Sequence, residues 1–335
     1  MKILYYITDH GLGHATRSVA LIRELEKHDI ELVIRNNDAH NFLKKSLPEI
    51  KIIAGQTDLI PIMDNENATM INYFKKKKNI RSWIKTLPAI IDRESQIIKK
   101  EKPNLIISDI SISPILAAKK NNIKSIALSN FIWNETLDMP LKDQNILKEG
   151  YSQADLIMKL SFGSPINFQN KKSFGLLVRK LTEKKSIIRR NIGIKKNEKL
   201  VTIALGGISN YSFTTANNIK ILDLSNYKNS NKLKKINFIE GQDIINASDL
   251  VITKCGYGFI SECLAYGTKF RYVLDSSHTE TCYIHKCLQK KGLQNMIPLD
   301  KIKNLIINDE LIMDTISYKM TSNNFDIKNA ILKLI

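Results

Sequence analysis

The sequence predicts an α/β protein built from two Rossmann-like parallel-sheet domains facing a central cleft. Three observations carry this. Short apolar strands alternate with amphipathic helices through both halves, glycine turns follow several of the strands, and 335 residues exceed what one ordinary core absorbs. In the first half KILYYIT is a strand and TRSVALIRELEKH a helix with apolar residues on one face. ELVIRN and KIIAG are further strands, PNLIISD follows a long helical stretch, and ILAAKKNN and KSIALSN are helix and strand. Strands separated by helices cannot pair as hairpins, so each connection is a crossover and the sheet is parallel.

A basic, irregular stretch, FQNKKSFGLLVRKLTEKKSIIRRNIGIKKNEK, precedes a second series of the same kind. KLVTIALGG is a strand ending in a glycine turn, KINFIEG and DLVITK are strands, GFISECLAYG is a helix and KFRYVLD a strand. The expected boundaries are an N-terminal domain at 1–165, a basic linker at 166–198 and a C-terminal domain at 199–310. A helical segment at 311–335 is expected to pack back on the N-terminal domain. Open parallel sheets bind ligands beyond the carboxyl ends of their strands, which places the chemistry in the strand-end loops and the cleft.

Composition narrows the function. Hydrophobic residues at 43% argue for packed cores and against disorder. Lys and Arg outnumber Asp and Glu by 51 to 33, a net charge of +18 that favours anionic partners. The abundance of Lys, Asn and Ile also fits an AT-rich coding sequence, which needs no binding role. Cys255, Cys263, Cys282 and Cys287 form no secreted framework and are expected as free thiols in a reducing cytoplasm. MKILYYIT is too short, and too soon followed by Asp9 and His10, to be a signal peptide or membrane span. The expected location is cytoplasmic, with peripheral contact at the inner face of the membrane as an extension.

The loop HGLGHATR contains His10, Gly11, Gly13, His14 and Arg17. Its glycines allow a sharp turn into a helix N-terminus that favours anions. A dinucleotide fingerprint needs a third glycine where Thr16 stands, and the second strand ends in Arg35 and Asn36 with no ribose-binding acid, so no nicotinamide or flavin cofactor is expected. A second loop, LGGISN, carries Gly206, Gly207 and Ser209. A third, TKCGYGFISE, sets Gly256 and Gly258 before a helix holding Glu262. Glycines there leave N–H groups for phosphate oxygens, and the carboxylate suits ribose hydroxyls or simply complements the helix dipole.

GLGHATRS together with SDLVITKCGYGFISECLAYG resembles glycosyltransferases of the GT-B fold, in the MurG and UDP-glycosyltransferase group. A closer likeness is to the glycosyltransferase-like domains of plant L-arabinokinases and their free-standing archaeal relatives. That group pairs a GHATR loop with SD after a later strand and then a TNF-x-W-like stretch. Here these are GHATR, with His14 to Arg17 at its core, IISDIS and SNFIW. The resemblance implies that His14 is the general base on an acceptor hydroxyl and Asp109 its orienting carboxylate. It implies an acceptor- or diphosphate-facing role for His10, Gly11, Gly13 and Arg17. On the donor side it implies Gly206, Gly207 and Ser209, then Gly256 and Gly258 at the diphosphate, Glu262 at the ribose, and Glu280 near the acid position for the sugar. HTETCYIHKCLQ departs from the pattern, with Cys282 and Tyr283 where glutamines stand in relatives.

The implied activity is inverting, metal-independent transfer from a nucleotide diphosphate sugar to an acceptor hydroxyl, the acceptor being lipid-linked or a small molecule. A UDP-sugar 2-epimerase of the same fold and a non-catalytic nucleotide-sugar-binding protein are the rivals. Two other constellations stand out. His278, Cys282, His285 and Cys287 have nearly metal-ligand spacing but lack a paired CxxC, so incidental thiols are expected and no metal. INYFKKKKNIRSWIKTLPAII sets Tyr73, Phe74 and Trp83 beside four lysines, which suits an anionic membrane surface or, more plainly, a solvated face. No nucleic-acid recognition module is present to support nucleic-acid binding.

Overall fold

The computed structural model describes residues 1–9, 11–59, 73–206, 208, 211–225 and 240–335, with only the backbone of 73–78. Of the strand predicted at KINFIEG, residues 235–239 lie outside the described residues. The chain forms two compact units. The first comprises Met1–Ile62, Asn72–Val178 and Ser322–Ile335, and the second, among described residues, Arg179–Thr321.

The first unit runs β1 (Lys2–Ile7), α1 (Leu12–Leu25), β2 (Glu31–Arg35), α2 (His40–Ser46), β3 (Lys51–Ile53), α3 (Tyr73–Glu101), β4 (Leu105–Asp109) and α4 (Ser113–Lys120). It continues through β5 (Lys124–Ser129), α5 (Trp133–Thr136), α6 (Leu141–Ser152), β6 (Leu156–Lys159) and β7 (Lys171–Ser173). All seven strands are parallel, in the order β3-β2-β1-β4-β5-β6-β7. β1, β4 and β5 are buried on both faces, which is why they read as unbroken apolar runs instead of alternating ones. On one face Leu4, Tyr6, Val33 and Ile106 pack with Ile98 and with Ala117 and Ala118 of α4.

α3 turns Ile80, Trp83, Leu87 and Ile98 inward at helical spacing. Trp83 is 5% exposed and sits among Phe131, Trp133 and Tyr151, so it serves the core and is not offered to a membrane or a nucleic acid. The side chains of Tyr73, Phe74 and Lys75–Lys78 lie outside the description. No described helix is long and apolar enough to cross a membrane.

The second unit runs α7 (Lys185–Asn191), β8 (Lys199–Ala204), β9 (Phe213–Thr215), β10 (Ile219–Asp223), α8 (Gln242–Ala247), β11 (Leu250–Lys254), α9 (Tyr257–Tyr266) and β12 (Phe270–Val273). α10 (Thr279–Lys290), β13 (Met296–Ile297), β14 (Leu305–Ile307) and α11 (Asp309–Met313) complete it. Its main sheet is parallel, β10-β8-β11-β12-β13, and β9 pairs separately with β14. Val201, Ile203, Ile221 and Ile252 fill one side of that sheet, and Leu200 and Leu222 meet Ile188 and Ile244 of α7 and α8 on the other.

The final helix, α12 (Asn324–Leu332), belongs to the first unit and packs against α1. Ile327 and Ile331 are fully buried, and the Asn324 side chain closes a two-point clasp on Val178. It accepts from the Val178 N–H at 3.1 Å and donates to the Val178 carbonyl at 2.6 Å. Asn324→Ala leaves both backbone groups unpaired in a buried setting. It is expected to lower the unfolding free energy by about 1–3 kcal/mol, measured by urea denaturation.

Candidate active site

In the first sheet the chain leaves β1 toward β2 on one side, while β4 lies on the other. Connections diverging from one strand end open a crevice there, where open α/β sheets hold ligands. The residues singled out in the first loop and in IISDIS converge on this point. Ile7 of β1 and Asp109 of β4 are register partners, so the end of β4 faces the loop after β1. Gly11 takes φ of 80°, a left-handed value natural to glycine, and α1 starts at the next residue. His14, Arg17 and Ser18, spaced i, i+3 and i+4, then fall on one helix face, directed at Asp109.

The contacts are close and buried. His14 Nδ1 lies 2.8 Å from Asp109 Oδ1. Arg17 forks the same carboxylate, Nε donating to Oδ2 at 2.8 Å and Nη2 to Oδ1 at 2.5 Å. Its other nitrogen, Nη1, donates to Asn130 Oδ1 at 2.5 Å, and the Ser18 hydroxyl donates to Asp109 Oδ2 at 3.2 Å. Phe131 meets the His14 ring edge-on at a centroid distance of 5.8 Å and in turn packs on Trp133. The SNFIW stretch thus supplies a polar pair for Arg17 and an apolar wall for His14. Ile110, directly after Asp109, has φ of 65°, a strained value for a β-branched residue, and the Tyr151 hydroxyl holds its carbonyl at 2.6 Å.

Two buried carboxyls of this unit titrate in opposite directions. Burial pushes Asp109 up, but the Arg17 guanidinium and the contacts with Arg17 and His14 outweigh it and hold the carboxyl at about 2. Asp58, on the segment after β3, meets no guanidinium among the described residues. It accepts from the Trp133 indole N–H and the Leu59 N–H, both at 2.8 Å, and burial pushes it up to about 6. No motif flagged Asp58, because its neighbours come from separate strand ends.

In the second unit β8 and β11 are adjacent with β10 beyond β8, so the same kind of divergence falls at the loops after β8 and β11. Gly206 donates its N–H to Ser225 Oγ at 2.8 Å, and Gly256 precedes α9 in an extended conformation. Neither has a positive φ, and among the described residues, chain neighbours aside, no atom lies within 4 Å of where a Cβ would stand on either. The surrounding protein therefore does not require glycine at these positions. Gly258 lies in the first turn of α9, and Glu280, 8% exposed, in the first turn of α10. Lys254, exposed at the end of β11, is a cation that the sequence analysis passed over; the Glu280 and Asp275 carboxylates are within its electrostatic reach.

Two expected roles meet different surroundings. Arg17 is 2% exposed and its guanidinium is engaged inside the unit, so it does not face an anion on the loop surface. Glu262 is 3% exposed, and both its oxygens are taken by Arg179, at 2.7 and 2.9 Å, so it is not presented to ribose hydroxyls. Gly13 lies in the first turn of α1, where its carbonyl accepts from Thr16. His10, Gly207 and Ser209 lie outside the described residues. All four cysteines are free. His285 pairs with the Tyr272 hydroxyl at 3.0 Å and Cys282 with the Ser276 carbonyl at 3.5 Å. Among the described residues no group of three or more His, Cys, Asp or Glu could hold a metal ion.

The Asp58 carboxyl gives a pH prediction with a definite sign. Its folded value of about 6 exceeds the unfolded value of about 3.9, so the native state binds this proton more tightly. The stability it lends is complete below about pH 4 and is lost as pH rises through about 6. Asp58→Asn removes that loss. The variant is expected to gain about 3 kcal/mol over the wild type at pH 7 and nothing below pH 4, read from urea unfolding across pH.

The family model described as glycosyl transferase family 1 matches residues 1–200. L-arabinokinase of Arabidopsis thaliana is 25% identical over 304 residues, 85% of this chain, and this chain spans 29% of that protein's length. Among solved structures, the glycosyltransferase SnogD from Streptomyces nogalater aligns with a TM-score of 0.58 at 10% identity, covering 100% of this chain and 99% of that one. UGT89C1 of Arabidopsis thaliana, complexed with UDP, aligns with a TM-score of 0.57 at 10% identity, covering 99% and 90%. At such identities the structural matches establish the fold, that of GT-B glycosyltransferases. The family match covers more than half of the sequence, and the chain belongs to glycosyl transferase family 1.

Proposed function

We propose that the protein transfers a sugar, with inversion and without a metal ion, from a nucleotide diphosphate sugar to an acceptor hydroxyl. The observation that carries this reading is the buried His14–Asp109 contact of 2.8 Å at the diverging strand end of the first sheet. An alcohol is a weak nucleophile near neutral pH, and imidazole is the side chain suited to take its proton there. His14 accepts the hydroxyl proton on Nε2 as the acceptor oxygen bonds to the anomeric carbon. The bond from that carbon to the diphosphate breaks on the opposite face, and the electron pair leaves with the diphosphate. Asp109 orients the ring and balances the imidazolium as it forms, as carboxylates do beside catalytic histidines.

The donor is assigned to the second unit. Gly206 and Gly256 are glycines that no neighbouring atom of the described residues demands, at the strand ends where the sheet diverges. Open backbone at the start of α9 offers N–H groups to phosphate oxygens, and Lys254 adds a positive charge at the end of β11. Glu280 is assigned to the donor sugar. Glu262 is held by Arg179 and supports the α9 loop from behind.

A thermal-shift panel of nucleotides and nucleotide sugars identifies the donor, since a ligand that binds only the folded chain raises its apparent stability. With that donor, His14→Ala is expected to lower transfer by at least about 100-fold while nucleotide affinity stays within twofold. Transfer in excess EDTA is expected to match the untreated rate. Parallel loss of nucleotide binding and turnover in His14→Ala, or turnover restored only by added divalent metal, counts against the proposal. Conversion of a UDP-sugar with no acceptor present identifies an epimerase instead.

A further inference from the structure

We infer that Arg17 is a positioning residue for the His14–Asp109 pair, fixing His14 in the tautomer with its proton on Nδ1 and its basic lone pair on Nε2. This rests on the assignment of His14 as the base and specifies which ring atom does the work.

The hydrogens of Arg17 decide the tautomer. A guanidinium has five N–H groups in a rigid fork and no acceptor. The Nε hydrogen of Arg17 goes to Asp109 Oδ2, and one Nη1 hydrogen goes to Asn130 Oδ1. The two Nη2 hydrogens go to Asp109 Oδ1 at 2.5 Å and Ser129 Oγ at 3.1 Å. The Asn130 amide is set by its own nitrogen, which donates to the Phe162 carbonyl at 3.3 Å and so leaves Oδ1 facing Arg17. Nη2 also lies 2.8 Å from His14 Nδ1, which it reaches only by sharing a hydrogen already given to one of those oxygens.

The opposite assignment fails on the same geometry. Were Nη2 to donate to Nδ1, an unprotonated ring nitrogen would sit 2.8 Å from Asp109 Oδ1 with no hydrogen between them, two lone pairs facing each other. The Asp109 carboxylate accepts from Arg17 at both oxygens and from Ser18, and is itself unprotonated. The proton of the His14–Asp109 contact therefore belongs to Nδ1. The charges facing the His14 ring here are Arg17 and Asp109; the Tyr5 and Tyr151 phenols, within reach of Asp109, are buried and pushed up by that burial, so they remain neutral.

Arg17 acts through geometry that lysine cannot copy. A single ammonium cannot span both oxygens of Asp109 and reach Asn130 and Ser129 at once. Arg17→Lys keeps the buried positive charge while removing the fork. The primary readout is the pair of ring ¹⁵N resonances of His14 in the ligand-free protein at neutral pH, identified by their absence in His14→Gln. The wild type is expected to show a single tautomer with the proton on Nδ1, and Arg17→Lys a mixture of both.

With the donor found by the thermal-shift panel, kcat of Arg17→Lys is expected to fall about 10–100-fold, with donor KM within twofold of the wild type. A wild-type spectrum with the proton on Nε2 overturns the inference with no variant needed. So does an Arg17→Lys protein that keeps both the wild-type spectrum and the wild-type kcat, or one whose donor KM and kcat fail together. If His14→Ala retains full transfer, the base assignment falls by itself, and the tautomer still stands or falls on the spectrum.

Discussion

The bidentate ion pair between Arg17 and Asp109 is the constraint around which the first unit is arranged. Two opposite charges are buried there at 2% and 0% exposure, and removing charges from water costs several kcal/mol unless nearly every lone pair and hydrogen finds a partner. The surroundings meet that demand through Ser18 on α1, Ser129 at the end of β5 and Asn130 just beyond it. The demand also explains polar residues at strand ends that are otherwise apolar. The backbone just beyond Asp109 accepts an unfavourable φ at Ile110, where the Tyr151 hydroxyl closes on the carbonyl.

The two units repeat one topology and finish it differently. Each has a strand from whose end the chain departs to both sides, and each gathers its notable residues there. In the first unit that end is filled by interlocked charged and aromatic side chains. In the second it carries glycines with no neighbour over them among the described residues. A filled strand end can aim one ring nitrogen, whereas an open one can take up a ligand along its backbone. The Glu262–Arg179 pair belongs to the first style although it lies in the second unit: its carboxylate is spent on holding a loop.

The sequence revealed the architecture because parallel strands buried on both faces leave continuous apolar runs, and β1, β4, β5, β8 and β11 all do. β7 is a short edge strand carrying Lys171 and Lys172, and such a strand has no reason to look apolar, so it falls within the stretch that reads as linker. His14 and Asp109 were legible through motifs, and the structure places them in contact. The partners of Arg17 and Glu262 were not. A buried guanidinium and a loop-facing one have the same letter, and the difference lies in contacts to Asn130 and Arg179, more than eighty residues away in each case. Trp83 was ambiguous for a similar reason: a tryptophan beside lysines fits a surface until the stripe with Ile80 and Leu87 is folded against a sheet.

The clasp of Asn324 on Val178 has a consequence for the order in which the protein is made. The first unit is discontinuous in sequence: α12 leaves the ribosome only after all of Arg179–Thr321. Domains emerging from synthesis usually fold from the N-terminal end. Here the earlier unit stays without its last helix, and α1 without the cover that α12 brings with Ile327 and Ile331, while the later unit is completed. During that interval the nascent chain carries an unsealed apolar face, and the later unit has the opportunity to fold first.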